Sequence, residues 1–480
     1  MDGLECSEIL FSNVDLGDRI DSDYFTKNYL HISAQLAKVP TKKLGRLATT
    51  VASAFYPAAT QLYSEGDTPF ARCVDCVSYP IITRDQDARF EKIPYSFGKE
   101  NKGVSFVNGN DIIVTKVGTP CYASILTDYE EIALSRTVLG LTAIHGIDPY
   151  YLMTFLRCKY GFEQLFRQRE LTIQYQLTLP RVKAIEVFMA GEKLQRAIKA
   201  MCVTSKRLQQ QSIMLYQQAT SDLMTYLGIT GSEEYSSYAV KSYKNSLVKV
   251  GRLDAEYYQP KYDLYLEKLS RFVTTSIIAE FDVFKNYGTN YADGVSDVGV
   301  IKTKQLSNNG IRIDDVESYF DIETCTENKS VFVKKNDVVF ASMGVGSLGK
   351  VSLFSYDGDK RYVTDSTLRI YRAKPDSKVC PEVLCLFLQS QLGQELIYRY
   401  VVGSTGIINI YDSDIARIPI PVFDKTVQVS VVAKVQESIS CQTEAKQLFE
   451  TAKQAIEIAI ESNEDDALEW LNASTSEWET

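Results

Sequence analysis

The chain is poor in the residues and motifs on which most enzymes depend. Its 480 residues include two histidines, His31 and His145, which are far apart and belong to no nucleophile pattern. It has no Walker loop and no Asn-Pro-Pro-Tyr motif of the amino-methyltransferase type, which Asp148-Pro-Tyr-Tyr151 only approaches. These absences argue against catalysis and favour a recognition or assembly component.

Long apolar runs and a secretory leader are also lacking. The first residues, MDGLECSEIL, are acidic and contain no apolar core segment, and no run is apolar enough to span a membrane. The ten cysteines are scattered, several of them in hydrophobic stretches, which is typical of reduced, buried thiols. We therefore expect a cytoplasmic location. The single pair Cys73-Val-Asp-Cys76 lacks a second pair or spaced histidines, so we expect no metal site.

Charge is distributed unevenly along the sequence. The net charge is −9, but residues 1–18 hold five acidic residues, residues 461–480 hold seven, and neither stretch has a lysine or arginine. Residues 19–460 then contain 49 acidic and 52 basic residues, a net charge near +3. A balanced body can carry a basic face, so the acidic total does not exclude a nucleic-acid partner.

One glycine-rich stretch, 341–353 with the sequence ASMGVGSLGKVSL, has the spacing of a nucleotide-binding loop. A dinucleotide site needs a strand before the glycines and a helix after them. A strand pattern at 337–341 does come before, but Lys350-Val-Ser-Leu-Phe354 reads as a second strand. The pattern therefore predicts a hairpin whose glycines let the backbone approach another surface closely.

A weak internal repeat is the most informative feature of the sequence. Arg19-Ile-Asp-Ser-Asp-Tyr-Phe25 matches Arg252-Leu-Asp-Ala-Glu-Tyr-Tyr258 at an offset of 233. Offsets of 226 to 233 also relate Val107–Val114 to Val333–Phe340, Thr137–Leu141 to Thr367–Tyr371, Tyr151–Leu156 to Val383–Leu388, and Leu194-Gln195 to Val427-Gln428. Offsets that drift and return indicate two copies of one fold with loops of different length.

Each copy has the same order of predicted elements. A β-rich region, about 44–145 and 275–375, precedes a short helix, about 149–168 and 381–400. A proline-containing strand, 179–188 and 416–423, then leads to a long helix. The predicted segments are a first β-rich domain 1–188, a central helix 189–230, a second β-rich domain 231–423, a C-terminal helix 424–472 and an acidic tail 473–480.

The two long helices have narrow apolar seams with three–four spacing. They either pair with each other or pack separately on their own halves, and matching seams favour pairing. The predicted seam residues are Leu194, Ile198, Met201, Ser205, Leu208, Ser212, Leu215, Ala219 and Leu223, and Val427, Val431, Val435, Ser438, Cys441, Ala445, Leu448, Ala452 and Ile456. The predicted fold class is α+β: two tandem β-rich domains separated by two long helices that pair as an antiparallel coiled coil, with a pseudo-twofold internal repeat.

In this arrangement the sequence resembles the specificity (S) subunits of type I restriction–modification enzymes. The tandem β-rich regions with their long helices carry the resemblance, together with Ile418-Pro-Ile-Pro421, Gly403-Ser-Thr-Gly-Ile-Ile-Asn-Ile410 and Asn336-Asp-Val-Val-Phe-Ala-Ser-Met-Gly344. The first copy departs from this pattern, since it has Thr172-Ile-Gln-Tyr-Gln176 and a shorter glycine turn at 116–120. Different half-site readers would diverge in this way.

The resemblance implies a function without catalysis by this chain itself. Each β-rich region would be a target-recognition domain that reads one half of a bipartite DNA site, and the paired helices would set the distance between the halves. The chain would dock two methyltransferase (M) subunits that bind S-adenosylmethionine, and restriction (R) subunits would join for cleavage. No cofactor is expected on the chain itself.

Polar side chains in the turn-rich loops are the candidate DNA contacts, because asparagine can pair with adenine, and lysine or arginine with guanine or phosphate. The candidates in the second copy are Lys302, Lys304, Asn308, Asn309, Ser342, Ser347, Lys350, Ser404, Thr405 and Asn409, and their looser counterparts in the first are Arg72, Lys116, Arg136, Arg167 and Arg169. The repeated pairs Arg19–Asp21 and Arg252–Asp254 are instead predicted to be structural ion pairs or caps.

Three hypotheses follow from the sequence. The first is a DNA-recognition subunit of a type I restriction–modification complex. The second is a scaffold or decoy of the same fold that binds only partner proteins, which the acidic ends and the divergent first copy favour. The third is a nucleotide-dependent enzyme built on the glycine loop. Salt dependence of DNA binding separates the first two, and stabilisation by nucleotide would support the third.

Overall fold

The computed structural model describes residues 7–9, 19–55, 63, 66–77, 79–85, 90–170, 175–229, 235, 237–287, 292–293, 296–403 and 408–476. The chain forms two compact units: unit 1 is Met1–Gln210 with Gln442–Thr480, and unit 2 is Gln211–Cys441. Unit 1 is therefore built from two separate stretches of sequence. Within the described ranges, no helix is both long and apolar enough to cross a membrane.

Among its described residues, unit 1 contains two sheets and a short ribbon. Its strands are β1 Thr41–Lys43, β2 Thr49–Ala52, β3 Thr68–Ala71, β4 Ile81–Ile82, β5 Glu91–Ile93, β6 Ser105–Val107, β7 Ile112–Thr115, β8 Ala123–Leu126, β9 Ile132–Leu134, β10 Val138–Thr142 and β11 Glu186–Phe188. The sheet orders are β2-β10-β7-β8-β4 and β5-β3-β9-β6, and β1 pairs with β11. The central strands β7 and β8 are buried on both faces, and their sequences, Ile-Ile-Val-Thr and Ala-Ser-Ile-Leu, contain no charged residue.

The helices of unit 1 correct two predictions. They are α1 Lys27–Leu36, α2 Cys73–Cys76, α3 Tyr95–Glu100, α4 Pro149–Arg157, α5 Lys159–Arg167 and α6 Leu179–Lys183, followed by the long helix α7 Glu192–Tyr226. The single short helix predicted at 149–168 is two helices, because Cys158 between them is extended. The strand predicted at 179–188 begins as helix α6, because Pro180 lies in the first turn, where its missing N–H costs nothing.

Unit 2 repeats this arrangement. Its strands are β12 Thr274–Thr275, β13 Phe281–Phe284, β14 Ala292–Asp293, β15 Val298–Ile301, β16 Leu306–Ser307, β17 Gly310–Ile311, β18 Ser318–Phe320, β19 Val338–Ala341, β20 Val351–Leu353, β21 Arg361–Thr364, β22 Leu368–Ala373 and β23 Ile420–Pro421. Its helices are α8 Pro260–Leu269, α9 Ile277–Glu280, α10 Ile322–Glu327, α11 Pro381–Gln389, α12 Gln391–Arg399 and α13 Asp412–Ile415. Helices α11 and α12 again replace a single predicted helix, with the break at Ser390.

The sheet orders confirm the internal repeat. Strands β13-β22-β19-β20 of unit 2 have the order of β2-β10-β7-β8 in unit 1, and β18-β15-β21 have the order of β5-β3-β9. The pairs β3–β9 and β15–β21 are parallel in both units, within otherwise largely antiparallel sheets. The ribbon β12–β23 corresponds to β1–β11.

Individual contacts repeat as well as strands. Before β7 and β19, Asp111 and Asp337 each accept a hydrogen bond from the backbone N–H three residues earlier, at 2.8 and 2.7 Å. Asn110 and Asn336, the residues before them, both have a φ of 68°. A left-handed asparagine followed by an aspartate thus forms the same turn twice, which explains the sequence match at this place.

A glutamine near the start of each long helix makes the second repeated contact. Gln195 accepts the backbone N–H of Asp148, and Gln428 accepts that of Cys380, both at 2.9 Å. These N–H groups lie at the beginning of α4 and α11, so each glutamine ties its long helix to the first short helix of its unit.

The second long helix, α14, is Lys425–Glu461, and α15, Glu464–Ser476, follows it. Each predicted seam residue is buried, apart from the half-buried Val427. Within unit 1, Ser205 Oγ donates to Ala445 O at 2.7 Å; within unit 2, the hydroxyls of Ser212 and Ser438 are 2.9 Å apart. The predicted pairing of α7 with α14 is confirmed in each unit, and small seam residues let the backbones approach closely enough for these bonds.

Candidate nucleic-acid interface

The glycine loop of unit 2 is a hairpin. Strands β19 and β20 pair antiparallel, and Gly349 N donates to Ala341 O at 2.9 Å to close the loop. Gly344, Gly346 and Gly349 have φ values of 105°, 72° and 88°, which side chains rarely tolerate. Because a strand follows the glycines, the loop lacks the helix N-terminus that would hold a pyrophosphate, as the sequence predicted.

Hydrogen bonds and a buried leucine fix the hairpin to the rest of unit 2. Gln394 Nε2 donates to Gly349 O at 2.8 Å, and Gly344 N donates to Ile408 O at 3.0 Å. Leu348 is buried in the core. Ser342, a predicted DNA contact, is 2 % exposed, and its hydroxyl donates to Thr367 O at 2.9 Å, so in this structure it supports the loop.

A cleft of about 400 Å³ opens beside the loop and brings three predicted site residues together, Lys302, Lys304 and Ser347. Its other lining residues are Thr303, Met343, Gly344, Asp365 and Thr367. Of these, the sequence motifs pointed to Met343 and Gly344, in the stretch that leads into the glycine turn, and to Thr367, through its match with Thr137.

The two lysines of this cleft already have neighbours in the chain. Lys302 Nζ donates to Ser318 Oγ at 2.7 Å, and the exposed Lys304 pairs with Glu317. Asp365 accepts hydrogen bonds from the N–H and hydroxyl of Thr367. The cleft thus offers ammonium groups and hydroxyls, with one carboxylate that is occupied by local bonds.

Of the remaining candidates of unit 2, those that the structure describes lie near the hairpin but do not line the cleft. Asn308 and Asn309 form the turn between β16 and β17, and Asn308 O accepts a hydrogen bond from Gln389 at 3.0 Å. Lys350 follows the loop and is exposed, and it has no ion-pair partner among the residues that the structure describes. Asn409 lies opposite Met343. Ser404 and Thr405 fall outside the described residues.

Unit 1 has the same loop frame with two fewer residues. Cys121 N donates to Thr115 O at 3.0 Å, the counterpart of the Gly349–Ala341 bond, so five residues stand where unit 2 has seven. Gly118 has a φ of 91°, like Gly344. The isolated bridge Val117–Gln176 corresponds to Met343–Asn409. By this alignment Lys116 occupies the place of Ser342, and Thr119 that of Val345.

A capping box beside the loop is also shared. Arg72 N donates to Asp75 Oδ2 at 2.8 Å in unit 1, and Lys302 N donates to Gln305 Oε1 at 2.9 Å in unit 2. Arg72 is therefore the structural counterpart of Lys302. Asp75 caps α2, which accounts for the acidic residue between the two cysteines of the Cys73–Cys76 motif.

Two predicted cations of unit 1, Lys116 and Arg136, act on each other through their charges. Burial lowers the pKa of Lys116 below its ordinary value, and the nearby positive charge of Arg136 lowers it further. Arg136 is exposed, and Lys116 is half-buried. Two like charges that act on each other in this way form a local positive potential that an anionic ligand such as a phosphate would relieve.

Arg167 and Arg169 have structural contacts. Arg167 lies 4.1 Å over the ring of Tyr24 and donates to Tyr24 O at 2.7 Å and to Ser33 Oγ at 2.9 Å. Arg169 lies over the rings of Phe166 and Tyr175. Both guanidinium groups thus help hold the end of α5, and sequence spacing alone could not distinguish them from arginines aimed at DNA.

The repeated Arg–Asp motif is confirmed as a structural ion pair in both copies. Arg252 makes a two-pronged contact with Asp254, at 2.8 and 2.7 Å, and Arg19 makes the same contact with Asp21. Each arginine also donates to backbone carbonyls at the end of the second short helix, those of Tyr400 and Val401 in unit 2 and those of Arg167 and Arg169 in unit 1. The arginine hydrogen bond lowers the pKa of both aspartates.

The sequence matches no family model. It matches no curated protein.

Solved structures do resemble the chain. The S subunit of a type I restriction–modification system from M. genitalium has a TM-score of 0.35 and 11% identity, over 90% of this chain and 95% of its own. The HsdS subunit from Thermoanaerobacter tengcongensis has a TM-score of 0.27 and 12% identity, over 89% and 96%. A chain from a type I R-M system studied for its complex assembly and conformational transition has a TM-score of 0.28 and 11% identity, over 89% and 98%.

The likeness covers the chains of these solved structures almost completely. TM-scores this low carry no argument about function, which has to rest on the contacts within this chain.

Proposed function

We propose that the chain is the non-catalytic DNA-recognition subunit of a type I restriction–modification complex and that each unit reads one half of a bipartite site. One observation carries the proposal: the two units repeat one backbone frame around a glycine loop but carry different side chains on it. Unit 1 has Lys116 where unit 2 has Ser342, and Arg72 where unit 2 has Lys302. Two readers of different sequences need a common frame with different side chains.

The charges around the loops fit this role. Lys350 and Arg136 are exposed beside the two loops and can neutralise phosphates, while the left-handed glycines allow the backbone to come close to the duplex. The cleft with Lys302 and Lys304 supplies donors for the acceptor atoms of guanine or for phosphate oxygens.

The partners follow from the same proposal. Two M subunits would bind S-adenosylmethionine and methylate the DNA, R subunits would join for cleavage, and this chain would hold no cofactor of its own. Helices α7 and α14 would set the distance between the two half-sites. The complex would act in the cytoplasm.

A scaffold or decoy that binds only M subunits is the second candidate. It is favoured by the neighbours that the cleft lysines already have, since Lys304 is paired with Glu317 and Lys302 contacts Ser318. A DNA reader has to exchange such contacts for DNA, whereas a scaffold keeps them.

Methylome sequencing of cells that express the chain with its neighbouring M subunit, against cells that lack the chain, separates the two candidates. The DNA-recognition subunit predicts methylated adenines in a two-part motif with a fixed gap, present only with the chain. Exchange of residues 275–423 for the same region of a different S subunit should then change one half of the motif. Assembly of the complex without any motif would support the scaffold.

Salt dependence of DNA binding gives an independent measurement with the purified complex. Affinity should fall steeply with salt because phosphate contacts release counterions. Lys350→Ala should reduce the slope of log affinity against log salt by about 1. The control Lys335→Ala, which removes a charge already paired with Asp357, should leave the slope unchanged.

A further inference from the structure

The tip of the unit 2 glycine loop presents an apolar side chain to the outside. Within 344–349, the sequence Gly-Val-Gly-Ser-Leu-Gly contains two apolar side chains, Val345 and Leu348. Leu348 is 3 % exposed and belongs to the core, whereas Val345 is 66 % exposed. The loop therefore buries one apolar residue as its anchor and leaves the other uncovered.

The surroundings of Val345 are open, although the loop itself is held firmly. Its neighbours Gly344 and Gly346 are both left-handed, and a Cβ added to Gly346 would meet no atom within 4 Å. The base of the loop is meanwhile tied to α12 through Gln394. A firmly held tip with free space around it can be approached by another molecule without rearrangement.

The tip lies next to the polar cleft. Gly344 and Ser347, which flank Val345 and Gly346 in the loop, both line the cleft that contains Lys302 and Lys304. A ligand that occupies the cleft with its acceptor atoms would therefore meet an apolar side chain at the edge of that contact.

Unit 1 presents a side chain of the same shape at the equivalent position. Thr119 follows the left-handed Gly118 and is exposed, as Val345 is after Gly344. Cys73 Sγ donates to Thr119 O at 3.2 Å and holds this shorter loop in place. Valine and threonine are both β-branched, and threonine has a hydroxyl in place of one of the two methyl groups of valine. The two tips therefore share a methyl group on a branched Cβ.

We propose that Val345, and Thr119 in the other unit, contacts the C5-methyl group of a thymine in the major groove of each half-site. This inference rests on the proposed DNA-recognition function. The thymine methyl is the apolar group that base edges present in the major groove, and threonine methyls are known to suit it. Wedging between bases from the minor groove instead uses side chains such as Phe, Leu, Ile, Met or Pro. Leu348 and Pro120 of the two loops are buried, so the tips present Val345 and Thr119 instead.

The test uses the full chain assembled with its M subunits and synthetic duplexes of the motif found by methylome sequencing. Each thymine is replaced in turn by deoxyuridine, which removes only the methyl group. At one thymine of the half-site read by residues 275–423, the replacement should weaken binding about threefold to fivefold, the value expected for one buried methyl.

Variants at the tip assign that effect to Val345. Val345→Ala should weaken binding to the natural duplex by a similar factor and lose its sensitivity to deoxyuridine at that position. Val345→Thr, which keeps a branched methyl, should retain the sensitivity. Thymines of the other half-site serve as the internal control, and there Thr119→Ser should abolish a corresponding effect.

The outcomes separate this inference from the proposed function. If the complex binds its motif but no deoxyuridine replacement weakens binding, or if Val345→Ala keeps the full sensitivity, thymine contact by the tip is wrong while DNA recognition stands. A half-site without an A·T pair would also overturn it, as would loss of M-subunit binding by Val345→Ala without DNA. If the complex shows no motif-dependent binding at all, the proposed function itself fails.

Discussion

Single residues hold equivalent parts of the two units together. Arg252 and Arg19 each join an aspartate two positions later to carbonyls about 150 residues away. Their side chains are only 19 % and 11 % exposed. An arginine with several bonds of this kind positions backbone at the end of the second short helix, which explains why the motif recurs while the loops diverge.

Replacement of Arg252 by lysine should lower the free energy of unfolding by about 1.5–3 kcal/mol, because an ammonium group cannot make the two-pronged contact and reach the carbonyls. Chemical denaturation measures the change. Arg271→Lys is the matched control, since Arg271 and its partner Glu267 are both 70 % exposed, and it should change stability little. Equal effects of the two changes would contradict a structural role for Arg252.

Alanine at two glycines of the unit 2 loop should have unequal effects. Both positions have a left-handed φ, which costs about 1 kcal/mol for alanine. At Gly349 the new Cβ would also come within 2.8 Å of Gln394 Oε1, whereas at Gly346 it meets nothing. Thermal denaturation should show Gly349→Ala clearly less stable than Gly346→Ala, and equal losses would show that Gln394 does not fix the loop.

The pKa of Lys116 should rise in Arg136→Ala, because one of its two causes of depression is removed while burial remains. Carbon-13 reductive methylation of lysines and NMR titration measure it, with Lys116→Met to assign the signal. For a lysine with a lowered folded pKa, the unfolded chain binds the proton more tightly. Protonated Lys116 therefore destabilises the folded chain. This penalty is complete at pH values below the pKa of Lys116 in the folded chain, and it disappears as the pH rises from that pKa to the higher pKa of the unfolded chain. An unchanged pKa of Lys116 would show that Arg136 is too far from Lys116 to affect its protonation.

At the scale of elements, helices and strands could be predicted best from the sequence where buried residues recur with a regular period. The seams of α7 and α14 could be predicted because apolar and small residues recur every three or four positions. The hairpin could be predicted because strand patterns flank its glycines. The breaks at Cys158 and Ser390 were not predicted, because an apolar pair four positions apart spans each of them, Leu156 with Tyr160 and Leu388 with Leu392, as in a continuous helix. The structural roles of Arg167 and Ser342 could not be predicted either. Whether such a polar side chain points inward depends on a bonding partner that is distant in sequence.

Ser438 should contribute to the pairing of the long helices in unit 2. The buried Ser438 hydroxyl shares a hydrogen bond with Ser212 Oγ, 2.9 Å away, and it donates a second one to Ser212 O at 2.8 Å. Ser438→Ala should lower the free energy of unfolding by about 1 kcal/mol, which chemical denaturation measures. Ser430→Ala, at an exposed position of the same helix, is the control. A similar small effect from both changes would mean that the seam bond adds nothing to pairing.

At the scale of the whole molecule, the two units differ in how the sequence builds them. Unit 2 is one continuous stretch, whereas unit 1 also needs residues 442–480. Those residues make specific contacts: Glu457 accepts Lys159 N at 2.7 Å, Glu461 accepts the hydroxyl of Tyr160 at 2.8 Å, and Glu464 accepts Gly191 N at the beginning of α7. Carboxylates at the N-terminal ends of α5 and α7 are favourable partners for unpaired N–H groups.

A chain that ends at residue 441 should keep unit 2 and loosen unit 1. Hydrogen–deuterium exchange should show native protection for peptides of the β19–β20 hairpin and faster exchange for peptides of α4 and α5. Full-length protein with Glu457→Gln and Glu461→Gln should show a weaker effect confined to unit 1. Uniform loss of protection in both units would show that the units do not fold as separate bodies.

The discontinuity of unit 1 also has a consequence for synthesis on the ribosome. All residues of unit 2 have been made when residue 441 is added, while unit 1, whose β-strands are made first, still awaits Glu457, Glu461 and Glu464. The half that begins first is therefore completed last. During that interval the apolar seam residues from Leu194 to Leu208 lack the part of α14 that pairs with them in unit 1. A chaperone or a partner subunit that binds the nascent chain would therefore meet this seam before residues 442–461 do.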